Sequence, residues 1–148
     1  MLKVLMLGFF LSFSALAEGS ERGRASAKAI TVYKSPTCGC CDAWVDYLGD
    51  QGFRVSVIDR LDLRDIKEQY GVKPHLRSCH TGVVDGYAIE GHVPAGDIWR
   101  LLKERPAAAG LSAPGMPKMS PGMHSIEPKG YDVLLFDDTG KATVFSRY

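Results

Sequence analysis

Ile30-Thr31-Val32-Tyr33-Lys34-Ser35-Pro36-Thr37-Cys38-Gly39-Cys40-Cys41-Asp42-Ala43-Trp44-Val45-Asp46-Tyr47-Leu48 is the stretch from which the rest of the chain can be read. Ile30 to Tyr33 has the β-branched and aromatic content of a strand, and Pro36-Thr37 breaks it. Beyond the break, Cys41, Trp44, Val45 and Leu48 recur at i, i+3, i+4 and i+7, one face of a helix that Gly52 can terminate. Cys38, Cys40 and Cys41 therefore lie where a strand hands over to a helix N-terminus. Unpaired N–H groups and the positive end of the helix dipole favour thiolate there. A thiolate is both nucleophile and metal ligand, so the motif by itself leaves thiol exchange and metal binding open.

Downstream, Phe53, Val55 and Val57 alternate with Arg54 and Ser56, as a half-buried strand requires. Asp62 suits the N-cap of a second helix with Leu63, Ile66 and Tyr70 inward, and Gly71 suits its end. Two apolar runs, Gly82 to Val84 and Tyr87 to Ile89, are joined by Asp85-Gly86, a hairpin signal. Pro94 opens a third helix with Ile98, Leu101 and Leu102 inward, and Pro106 stops it. The order strand, helix, strand, helix, strand, strand, helix, with cysteines between the first strand and first helix, resembles the thioredoxin fold. The expected architecture is α/β, a central mixed sheet with flanking helices. To this are added a Met/Pro-rich loop within 107–128 and a C-terminal hairpin from Tyr131 to Phe136 and Ala142 to Phe145, turning at Asp137-Asp138-Thr139-Gly140.

The N-terminus has a different character. Met1-Leu2-Lys3 precedes an apolar run from Val4 to Phe13 and then Ser14-Ala15-Leu16-Ala17, the pattern of a secretory signal peptide cut after Ala17. The run is shorter than the roughly 20 residues a membrane span needs. Residues 1–17 are thus expected to be a signal peptide, 18–28 a flexible Gly/Ser/Ala-rich lead-in, and 29–148 one domain. Removing Lys3 from the 18 basic residues leaves 17 against 17 acidic ones, a balance that gives no electrostatic case for nucleic acid or for a membrane once the leader is gone.

Export bears on the four cysteines, since thiols outside the cytosol tend to oxidise. Four allow three complete pairings. Three cysteines within four residues cannot staple distant parts of the chain, and a bridge between neighbours is strained. The third predicted strand begins at Cys79-His80-Thr81, where thioredoxins carry a cis-proline before threonine. His80 stands in for that proline, which in thioredoxins hinders metal from settling on the cysteines, and Cys79 arrives beside it as a fourth thiol. Soft thiolates select Cu(I), Zn(II) or iron-sulfur clusters. A structural zinc site takes its ligands in well-spaced pairs, whereas Cys-x-Cys-Cys with Cys79 suits several bridged Cu(I) ions better than one tetrahedral ion. Met116, Met119 and Met123 add thioethers in a segment that Pro117 and Pro121 keep from forming a helix. Thioethers suit Cu(I) and have little use for zinc, although methionines also simply cover apolar surface. His80, His92 and His124 are further candidate ligands. His92 and His124 are the weaker ones, because an isolated surface histidine is usually solvated, and His75 has no partner in sequence.

Tyr33 to Cys41, Cys79 to Tyr87, Ile89 to Pro94 and Pro114 to Pro117, taken together, resemble the CopG-type family of periplasmic copper-resistance proteins over about Ile30 to Tyr148. The resemblance implies a thioredoxin-like fold, a cysteine-supported copper cluster on Cys38, Cys40, Cys41 and Cys79, and a place in bacterial copper handling with Cu(I)/Cu(II) interconversion. The expectation is a periplasmic copper-binding protein that exchanges metal with an efflux pump or a copper chaperone. Two rivals stand beside it: a thiol-disulfide oxidoreductase using Cys38 and Cys41, and a zinc-binding or structural thiol module.

Overall fold

A mixed sheet of seven strands, flanked by three α-helices, carries residues 27–123 and 127–148, which are those described by the computed structural model. The expected signal peptide, most of the lead-in, and His124 lie outside the described residues. The elements run β1 (Lys28–Lys34), α1 (Gly39–Asp50), β2 (Phe53–Asp59), α2 (Arg64–Gln69), a 3-10 turn (Pro74–Leu76), β3 (Thr81–Val84), β4 (Tyr87–Glu90), α3 (Ala95–Glu104), β5 (Gly110–Ser112), β6 (Asp132–Phe136) and β7 (Ala142–Arg147).

Sheet order is β2-β1-β3-β4-β5-β6-β7. The β1/β2 and β4/β5 pairs are parallel and the rest antiparallel. Strand alternation divides the apolar residues into two layers. Ile30, Val32, Ile89, Leu111 and Val133 join Trp44 and Leu48 of α1 and Ile98 and Leu101 of α3 in the larger cluster. Ala88 and Phe136 pack instead with Val72 and Leu76, among the segments around α2. Adjacent residues such as Ala88 and Ile89 thus serve opposite faces, as the twofold repeat of a strand dictates.

Two differences from the sequence reading have physical causes. The second helix starts at Arg64, with Leu63 rather than Asp62 at its cap position. Asp62 nonetheless accepts the Arg64 backbone N–H at 2.9 Å, so its capping chemistry operates one residue outside the position expected. Within the segment read as a loop, Gly110 to Ser112 forms β5. Only three residues long, it had no periodicity to betray it, and it joins β4 to β6 by pairing on both sides. Through it, the C-terminal hairpin extends the main sheet.

The Asp85-Gly86 turn is as read: both residues have positive φ, 47° and 86°, as a two-residue hairpin of the primed type needs. Arg105 closes α3 in a left-handed conformation, just before Pro106.

Candidate metal centre

Helix α1 starts immediately after Cys38, whose carbonyl accepts the Cys41 and Asp42 backbone N–H groups at 3.1 and 3.2 Å. Helical geometry then points Cys41 inward, fully buried, while Cys38 and Cys40 stay half-buried. Beneath this turn Lys34, itself buried at the end of β1, reaches Asp42 at 2.8 Å and Asp59 at 3.0 Å. The Asp42 carboxylate is the main reason the Lys34 ammonium is held above its ordinary range.

Cys79 comes from the segment entering β3. Its sulfur stands 3.4 Å from that of Cys41. The Cys40 and Cys38 sulfurs are 3.6 Å apart, and all four sulfurs fall within 4.8 Å of one another. Cys38 and Cys41 are joined as a disulfide, leaving Cys40 and Cys79 as free thiols. Burial pushes the Cys79 thiol up to about 11, with the Ser78 hydroxyl pulling back and the neighbouring Cys40 adding to the rise.

Two histidines complete the surroundings. His80 is wholly buried, its ring tilted by 37° against that of Trp44 with centroids 4.4 Å apart, and its Nδ1 is 3.3 Å from the Cys79 sulfur. His92, read from sequence as a surface residue, is also fully buried, with Nε2 3.5 Å from the same sulfur. Burial is the main cause that lowers the pKa of both imidazoles, and the Lys67 ammonium, together with any proton taken up by His92, holds that of His80 lower still. Nothing in the sequence near His92 announced burial. It comes from the hairpin return and from Pro121, whose carbonyl accepts a hydrogen bond from His92 Nδ1 at 2.8 Å.

The Pro121 contact shows how the Met/Pro-rich segment meets the site. Gly122 has φ +82°, and a Cβ there would stand 2.6 Å from the Trp44 backbone nitrogen. Only glycine lets this loop lie flat on the first turns of α1. The half-buried Met123 follows directly, while Met116 and Met119 are exposed side chains of the same loop, at 57% and 41%. The Gly115 N–H donates to the Arg77 carbonyl at 3.0 Å, and the Ser78 hydroxyl donates to the Gly115 carbonyl, so the loop is tied to the Cys79 segment as well.

One group next to the site was missed by the sequence reading. Glu90, fully buried, accepts from Lys67 Nζ at 2.5 Å, from the Thr81 hydroxyl at 2.7 Å and from the Ser78 backbone N–H at 2.6 Å. Lys67 Nζ also donates to Thr81 at 3.0 Å. Burial pushes the Glu90 carboxyl up, and Lys67, Ser78 and Thr81 act against that rise. This network fixes the backbone just before Cys79 to β4 and α2. Its available signal was Lys67, which follows Leu63 by four residues and so falls on the face of α2 read as inward. His75, which has no partner in sequence, donates from Nε2 to the Gly140 carbonyl at 3.1 Å.

The donors present are thus three crowded cysteines at a helix start, a fourth from the neighbouring strand and two neutral imidazoles. Soft sulfur with imidazole suits copper or zinc and does not suit magnesium or calcium.

Comparison with known proteins agrees with this chemistry. A family profile described as a protein of unknown function, DUF411, matches residues 76–123, which hold Cys79, the histidine pair and the Met/Pro-rich loop. No curated protein matches the chain. Two solved structures, described as copper resistance protein CopG in form 1 and form 2, are each 41% identical to it. Each match covers 82% of this chain and 98% of the other, at a TM-score of 0.76.

Proposed function

Because the chain belongs to the copper resistance protein CopG family, we propose that Cys38, Cys40, Cys41 and Cys79 in their reduced form bind copper as Cu(I), several ions bridged by shared thiolates. The observation that carries this reading is the convergence of all four sulfurs within 4.8 Å at the start of α1. Four sulfurs so close repel as thiolates and are reconciled by cations shared between them. Copper here is cargo, and His80, His92 and the methionines Met116, Met119 and Met123 are its auxiliary donors, with His124 next to Met123 in sequence.

The order β1-α1-β2-α2-β3-β4-α3, with strands running 2-1-3-4, supports a thioredoxin-like core extended by β5 to β7. Among the described residues no helix is long and apolar enough to cross a membrane. With a leader at residues 1–17 and a lead-in to residue 28, the mature chain is a periplasmic protein of copper resistance that trades copper with an efflux pump or chaperone.

The test is copper and zinc quantitation on the anaerobically reduced chain from residue 18 onward, offered Cu(I) and Zn(II) together. More than one tightly held copper per chain is expected. Less than one, or zinc in its place, overturns the reading. The Cys38–Cys41 disulfide favours a second reading, a thiol-disulfide oxidoreductase. That reading requires a disulfide-reducing rate that Cys41→Ser abolishes and that copper inhibits.

A further inference from the structure

Cys79 belongs to two donor sets at once. One is the sulfur group with Cys38, Cys40 and Cys41; the other is the trio Cys79, His80 and His92, one donor atom from each lying within 4.8 Å of the others. The Cys38–Cys41 disulfide removes two donors from the first set and none from the second. We propose that, with that disulfide closed, Cys79, His80 and His92 form a separate site for one borderline divalent ion, of the Cu(II), Co(II) or Zn(II) class, so that the disulfide form carries a mixed sulfur-nitrogen site where the reduced form carries a thiolate one.

The geometry fits a single ion. Metal–nitrogen bonds of about 2.1 Å and metal–sulfur bonds of about 2.3 Å at a tetrahedral angle set the two donors about 3.5 Å apart. The Cys79 sulfur stands 3.3 Å from His80 Nδ1 and 3.5 Å from His92 Nε2. His92 is already in the required tautomer: Nδ1–H is spent on the Pro121 carbonyl, which leaves the Nε2 lone pair toward Cys79. One thiolate with two imidazoles is a borderline donor set, less selective for Cu(I) than four thiolates. Three protein donors leave one tetrahedral position for solvent, for the free thiol of Cys40, whose sulfur lies within 4.8 Å of that of Cys79, or for a donor from an exchange partner.

This inference rests on the reading of these residues as metal donors, but it is tested on the opposite redox form. The disulfide form, certified by two titratable thiols per chain, is given Co(II), which does not oxidise thiols. One Co(II) per chain is expected, with a thiolate-to-metal charge-transfer band and two paramagnetically shifted imidazole N–H resonances. Cys79→Ser and His92→Gln are each expected to weaken the Co(II) affinity at least tenfold. Absence of the charge-transfer band in the wild-type disulfide form, absence of the shifted resonances, or an unchanged affinity in His92→Gln overturns the proposal. None of these results bears on Cu(I) uptake by the reduced chain, so the two readings fail separately.

Discussion

At the scale of single residues, Cys79 and His80 carry the most. Cys79→Ser is expected to lower the Cu(I) stoichiometry of the reduced chain by at least one ion while shifting the urea midpoint little, because serine fills nearly the same space. Metal quantitation beside a denaturation curve reads both, and equal losses would mark the thiol as structural. His80 makes stability pH-dependent. Its folded pKa lies well below the ordinary 6.5, mainly through burial, so below that pH the unfolded chain takes up a proton that the folded chain refuses. Stability contributed by the neutral ring is complete above pH 6.5 and declines as pH falls, by up to about 1.4 kcal/mol per pH unit. His92 acts in the same direction. Glu90 acts in the opposite one, since its raised folded pKa lets it protonate in the fold first. His80→Asn is therefore expected to flatten the fall in stability between pH 7 and 5, measured by urea unfolding of the metal-free disulfide form. An unchanged slope would show that the ring is hydrated in solution.

At the scale of elements, the site depends on segments that hold the donors without supplying them. Lys67 on α2 and Glu90 on β4 form an ion pair whose side chains are 8% and 0% exposed. Removing one partner from such a pair commonly costs about 3–5 kcal/mol, more than the intact pair contributes, because the other charge is stranded. Lys67→Met is expected to destabilise the chain by roughly 3 kcal/mol, and Lys67→Met/Glu90→Gln by less, since the carboxylate then no longer needs a cation. Thermal melts of the three chains give the comparison. Gly122 plays the corresponding part for the Met/Pro-rich loop. A Cβ there meets the Trp44 backbone, which cannot yield as a flexible side chain would, and the positive φ adds strain. Gly122→Ala is expected to lift the loop and let water reach His92, and because burial is the larger influence on that ring its imidazole pKa is expected to rise in an NMR titration, even though the Pro121 hydrogen bond that favours the charged form is lost.

At the scale of the whole molecule, β5 joins the segment bearing the site to the C-terminal hairpin, and a polar latch closes the chain end onto α3. Buried Asp97 accepts from the Ser146 and Tyr148 hydroxyls at 2.5 and 2.9 Å and from Arg100 at 3.2 Å. Arg100 also reaches the Phe145 carbonyl at 2.8 Å. Asp97→Ala is expected to cost about 2–3 kcal/mol by leaving these donors unmatched, with copper uptake by the reduced chain unchanged, because none of Asp97's partners bears a sulfur or imidazole. Loss of copper together with stability would place the latch in the site. Much of this organisation was legible in the amino-acid order. The helix after Cys38 followed from the spacing of Cys41, Trp44 and Leu48, the Asp85-Gly86 hairpin from its turn residues, and the crowding of three thiols from simple adjacency, since periodicity, turn chemistry and nearness along the chain are local properties. The gathering of Cys79 beside Cys41 was inferred through a family resemblance. Three-residue β5, the burial of His92 and the Lys67–Glu90 pair were decided only by tertiary structure. Each joins groups distant in sequence, and burial and charge pairing are properties of what packs around a residue.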